Sequence, residues 1–159
     1  MGNLYCDIEI EQNFFESTFL NVFPNTKLLF WDKDENDSLN GIHSSDITHY
    51  FYSVDFDTAK IEFRFCIELY SINKENELER DLYLGKKLSE TLEQRILVPF
   101  SLPEKPYSPY YDIIFDRGKT LLADDCDTNF ADNSLNYIKI IGEYNLPETQ
   151  FDTKGRLIR

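Results

Sequence analysis

Asp32, Asp34 and Asn36 stand at alternate positions, as the first ligands of a calcium loop do. Such a loop needs glycine at its sixth position for a sharp turn and a bidentate glutamate at its twelfth. Asp37 and His43 occupy those places, so the segment reads as a solvated acidic loop and not as an EF-hand. His43, Asp46 and His49 are metal ligands by type, but their spacing fits no tetrahedral site. Cysteine–histidine catalysis would have to pair Cys6, Cys66 or Cys126 with His43 or His49, and it needs an environment that stabilises a thiolate. Cys66, between Arg64 and Glu68 on the face of a strand expected to be exposed, has no such surroundings in the sequence. There is no G-x-S-x-G, no Walker A motif and no G-x-G-x-x-G. The 29 acids offer no singled-out carboxylate pair. The reading is of no catalytic residues, no metal and no cofactor.

Recognition is the chemistry that remains. Trp31 is the single tryptophan, and Asp32, Asp34, Glu35 and Asp37 follow it, with Asp46 further along. An aromatic anchor beside carboxylates suits a basic protein surface. A second acidic run, Asp124, Asp125 and Asp127, either extends that surface or lies opposite it. A solvated loop with Trp31 in the core is the alternative for the first segment. Pro103, Pro106 and Pro109 repeat every third residue, which favours polyproline II and a stiff connector flanked by Tyr107, Tyr110 and Tyr111.

The charge pattern bears on the kind of partner. The chain has 159 residues and a formal net charge of -13. Residues 1–57 hold 11 acids and 2 bases, so most of the excess lies in the first third. Nucleic acids and anionic membranes need a positive footprint, so neither is an expected partner. Excess negative charge instead steers association with a cationic protein. Nothing resembles a secretory signal or a membrane span, and three widely spaced cysteines fit reduced thiols, so a cytoplasmic location is expected.

The elements that position these residues follow from hydrophobic period. Cys6, Ile8 and Ile10 alternate with acids, which predicts a first strand, with a lead into the next helix as the alternative. Phe15, Phe19 and Phe23 recur at helical spacing, which predicts a helix over 14–22 stopped by Pro24. Strands are expected over 26–31 and 47–54. A long strand over 59–70 should bury Phe63, Phe65, Ile67 and Leu69 and solvate the other face, and it should form a hairpin with the strand before it. Leu82 and Leu84 suggest a short strand, and Leu88, Leu92 and Ile96 a helix over 86–96. Strands over 110–115 and 120–122 flank a turn at Arg117-Gly118, and a last strand covers 137–141. Residues 147–159 are expected to form a flexible tail. The fold class is therefore α+β, a single domain over 1–159. Its mainly antiparallel sheet has six or seven strands, with two short helices packed on one face.

Small, acidic, aromatic-rich and without a catalytic signature, the chain resembles the bacterial toxin-immunity proteins, including those of contact-dependent growth inhibition. A bias of three alanines against twelve asparagines fits an AT-rich bacterial genome. The resemblance implies a protein that binds a cognate toxin domain and occludes its active site. Many such toxins are nucleases with basic clefts. It covers the profile of the whole chain and carries no residue assignments. Two other classes stand beside it: a nucleic-acid-mimicking inhibitor of the anti-restriction type, and a small enzyme of unrecognised chemistry.

Overall fold

The structure, a computed structural model, describes residues 2–31, 49–56, 62–71, 74–107, 111–125 and 138–159. In chain order these form β1 (Gly2–Cys6), α1 (Gln12–Val22), β2 (Lys27–Phe30), β3 (His49–Phe56), β4 (Phe65–Ser71), α2 (Glu77–Leu92), β5 (Ile96–Phe100), β6 (Tyr111–Asp116), β7 (Lys119–Asp124) and β8 (Lys139–Glu143). Among the described residues the strands make one eight-stranded sheet in the order β2-β3-β4-β1-β5-β6-β7-β8. All neighbours are antiparallel except β2 and β3. The class is α+β with two helices among the described residues, and the sheet has one strand more than the upper expectation.

The extra strand is β5. Ile96, expected at the end of a helix, pairs with Cys6 and Phe115 instead. The helix ends at Leu92, and Glu93 turns left-handed with φ 54°. Pro99 is tolerated inside β5 because β1 pairs only with Ile96 and Leu97 and its ladder has ended before the proline. Leu82 and Leu84, expected as a strand, belong to α2. Leu78, Leu82 and Gly85 continue the helical stripe of Leu88 and Leu92 backwards by nearly three turns, and burial on that stripe outweighs the polar start of the segment.

One face of the sheet carries both helices. Phe15, Phe19 and Phe23 pack with Tyr50 and Tyr52, while Leu82, Leu84 and Leu88 join Leu4, Ile67, Ile96, Val98, Ile113 and Phe115. Burying each such side chain contributes about 1.5–3 kcal/mol. The helix α2 sits close to β5 and β6 because position 85 has no side chain. A Cβ there would lie 2.7 Å from Val98 Cγ2 and 3.3 Å from Phe115 Cε2. Gly85→Leu is therefore expected to lower stability by about 1–3 kcal/mol through overpacking, despite a better helix propensity. Gly142→Ala, which enters open space, serves as the control. Urea unfolding midpoints separate the two.

The first strand lies earlier than expected, over Gly2–Cys6, and Ile8 is exposed. The β3–β4 hairpin forms as expected, from Tyr50↔Ser71 to Phe56↔Phe65. Its second strand begins only at Phe65, and residues 57–61 lie outside the described residues. Phe63 and Phe65, expected on one face, sit on opposite faces. Phe63 packs with Leu97, Ile114, Ala123 and Ile138 in a smaller cluster on the helix-free side. That cluster explains a second correction: Cys66, expected to be exposed, is buried beside Tyr5. The turn Arg117-Gly118 has φ of 47° and 82°, the two left-handed positions of a two-residue hairpin loop.

The C-terminal segment, expected to fray, lies against the body. Phe151 packs on Phe23 and Tyr83, and the Asn25 amide donates to the Thr153 carbonyl at 2.8 Å. No helix among the described residues is long and apolar enough to cross a membrane.

Candidate partner-binding face

Strand register aligns the side chains of the helix-free face in rows across the sheet. One row runs Asp55, Cys66, Tyr5, Leu97, Ile114 and Leu121. The next begins Ser53, Glu68, Asn3. The apolar members of the first row belong to the smaller cluster near β5–β7. The polar and aromatic members collect at the β2–β3–β4 end.

Trp31 continues β2 by one residue, and its amide donates to the Tyr52 carbonyl at 2.8 Å. Its half-buried ring stands edge-on to Tyr70, with centroids 5.3 Å apart at 76°. The Tyr70 hydroxyl donates to Glu68 Oε2 at 2.8 Å, and the Ser53 hydroxyl donates to the same oxygen at 3.1 Å. Two hydroxyl donors fix that carboxylate in place. Asp55, one row further along and exposed, adds a second negative charge to the same face. Two aromatic rings beside oriented carboxylates make a seat for a guanidinium or ammonium group.

Trp31 is the one residue of the first acidic segment that is described. Asp32, Asp34, Glu35, Asp37 and Asp46 lie outside the described residues, as does Asp127. Asp124 ends β7 opposite Tyr111 and Lys139, and Asp125 follows it. Six strand steps separate β2 from β7, or about 29 Å at roughly 4.8 Å per step. Trp31 and Asp124 thus belong to separate parts of the surface. Sequence reasoning missed Ser53, Asp55, Glu68 and Tyr70. Glu68 and Tyr70 lie on the polar, alternating face of β4, which reads as a solvated face, and no local pattern marks Ser53 and Asp55 on β3.

One cation near this face, Arg95, has acids of the same face beside it. The Arg95 guanidinium lies 3.8 Å from Glu62, 3.9 Å from Asp116 and over the Phe63 ring at 4.9 Å. The Arg95 amide donates to Asp7, whose carboxyl burial pushes up although that bond and the Arg95 charge pull it down. The thiols face opposite ways. Cys6 pairs with Phe65 and points into the helix side, and Cys66 pairs with Tyr5 on the other side. Burial pushes the Cys6 thiol far up, helped by Cys66 and Asp7, which favours the thiol over the thiolate.

Among the described residues no three His, Cys, Asp or Glu side chains converge on a metal position. A cavity of about 10 Å³ between α2 and the β6–β7 turn, lined by Lys86, Ser89, Phe115 and Lys119, has room for one water at most. No protein-family model, no curated protein and no solved structure matches the chain.

Proposed function

We propose that the chain is a cytoplasmic immunity protein, which binds a cognate bacterial toxin domain, a basic nuclease, and occludes its active site with an acidic surface. The observation that supports this reading is the cluster of Trp31, Tyr70, Glu68 and Asp55 at one end of the helix-free face. It stands at the start of the acidic sequence Asp32–Asp37. A nuclease cleft that holds phosphates presents Arg and Lys, and oriented carboxylates are their complement. The aromatic rings supply contact area that excludes water around those pairs.

The test is co-expression with the toxin domain encoded next to the chain's gene. Growth arrest by that domain should be relieved by the wild-type chain. Combined Asp32→Asn, Asp34→Asn, Glu35→Gln, Asp37→Asn and Glu68→Gln should leave the far-UV circular dichroism unchanged. It should weaken binding of the purified toxin domain by about 100-fold or more, since one to three kcal/mol per charged contact multiplies quickly. Unaltered affinity would remove the acidic surface from the mechanism. Absence of any growth-arresting neighbour would end the immunity reading.

A further inference from the structure

We propose that the outer edge of β2, the end strand of the sheet among the described residues, accepts an extended segment of a basic partner protein as an added strand. It rests on the reading of a basic protein partner, and it names a mode of engagement that reading does not require.

The backbone geometry points outward there. The Trp31 amide donates to Tyr52 on β3, so Trp31 and Leu29 direct their amide and carbonyl groups inward. Strand alternation then directs those of Leu28 and Phe30 away from the sheet. Among the described residues, no hydrogen bond fills them. Leu29 and Phe30 flank this edge at 42% and 45% exposure, one on each face of the sheet. The opposite edge, β8, is blunted. It carries a register shift against Leu122 and Ala123 and has charged residues at both ends, Lys139 and Glu143. Those are the usual protections of a sheet edge. β2 has only Lys27 at its start.

Charge selects the occupant. A second copy would bring two segments of net charge -9 together, which opposes self-pairing. A strand of alternating basic and apolar residues fits both sides of the edge. Its apolar side chains would meet Phe30 and helix α1 on one face. Its basic side chains would meet Trp31 and the carboxylates Glu68 and Asp55 on the other.

The probe is the acetylated, amidated peptide Lys-Val-Lys-Val-Lys-Val-Lys, titrated against the full chain by the fluorescence of Trp31 and by anisotropy of a labelled copy. Phe30→Pro deletes an outward amide without removing a β2–β3 hydrogen bond, and Phe30→Ala keeps the amide and loses the ring. Binding to the wild type, retained within about threefold by Phe30→Ala and weakened about tenfold by Phe30→Pro, is the expected result. The same peptide, N-methylated along its central residues, should fail to bind the wild type, which decides the matter even where Phe30→Pro does not fold. Equal binding by the N-methylated peptide or by a Glu-Val peptide overturns the proposal. So does no binding at millimolar peptide. A wild-type dimer in analytical ultracentrifugation that Phe30→Pro dissociates also overturns it, because β2 is then covered by a second copy. If the peptide fails while the toxin domain still binds and is weakened by Glu68→Gln, the strand-addition mode falls and the basic-partner reading stands.

Discussion

Replacing Arg80 by alanine should cost about 3–5 kcal/mol, the scale seen when one partner of a buried charged network is removed. Arg80 lies in α2 with 1% of its surface exposed. Its Nη1 donates to the carbonyls of Glu75, at 3.3 Å, and Gly155, at 3.4 Å, and its guanidinium sits 5.5 Å from the centre of the Tyr50 ring. Tyr50 in turn donates to the Lys154 carbonyl. Gly155 is held at φ 75°, and a Cβ there would collide with the Tyr50 hydroxyl. One side chain thus joins the second helix, the third strand and the C-terminal segment. Without it the buried Gly155 carbonyl and the more exposed Glu75 carbonyl lose a donor, and Asp81 loses the adjacent positive charge. A domain of this size holds only about 5–15 kcal/mol in total, so the loss is a large share. Urea unfolding measures it, and hydrogen exchange should show protection lost first over residues 151–158. Arg80→Met, which restores volume without donors, should fall between alanine and wild type. An alanine variant within about 1 kcal/mol of wild type would mean that solvent replaces these bonds at no cost.

The legible parts of this fold are those in which local pattern and tertiary burial agree. The Phe15–Phe19–Phe23 spacing, the β3–β4 hairpin and the Arg117-Gly118 turn are all specified within a few residues of themselves. The misread parts depend on distant partners. Ile96 continues the spacing of Leu88 and Leu92, and only pairing with Cys6, 90 positions away, makes it a strand. Cys66 looks solvent-facing until Phe63, Leu97 and Ile114 close over the second face. Arg80 and Asp81 sit in the most polar stretch of α2, Glu77-Leu78-Glu79-Arg80-Asp81, and nothing local marks them as buried. The C-terminal segment that covers Arg80 is polar enough to suggest a loose tail.

The same division holds for the candidate site. Trp31 was identifiable as the sole tryptophan ahead of an acidic run. Its companions Tyr70, Glu68 and Ser53 come from two other strands and meet it only through register. The distance between Trp31 and Asp124 follows from strand order, which places β1, β4, β5 and β6 between them together with β3. The two acidic runs, similar in composition, therefore start from different strands of the sheet. The first follows Trp31 in the sequence, and Asp124, which begins the second, lies beside Lys105 and Lys139.

Stability should fall as pH rises from about 4 to about 7, and Asp81→Asn should remove most of that slope. Asp81 packs over Gly2, where a Cβ would sit in contact with its carboxyl oxygens. Burial pushes this carboxyl from 3.8 up to about 7, against the pull of Arg80 and the chain's amino group and with help from Glu77. The folded protein therefore holds the proton more tightly than the unfolded chain. Its contribution to stability is complete below the ordinary carboxyl value and is lost as pH rises through about 7. A shift of roughly three units corresponds to about 4 kcal/mol as an order of magnitude. Asp7, also raised by burial, adds a smaller effect of the same sign, while Asp152, lowered by its bonds to Arg156 and Lys154, acts in the opposite sense at lower pH. Asparagine keeps the shape and cannot ionise. Asp81→Asn should match wild type near pH 4 and exceed it near pH 8, as read from urea midpoints across that range. Parallel curves for the two proteins would show that the carboxylate is already charged and satisfied in the fold, with Arg80 as its effective counter-ion.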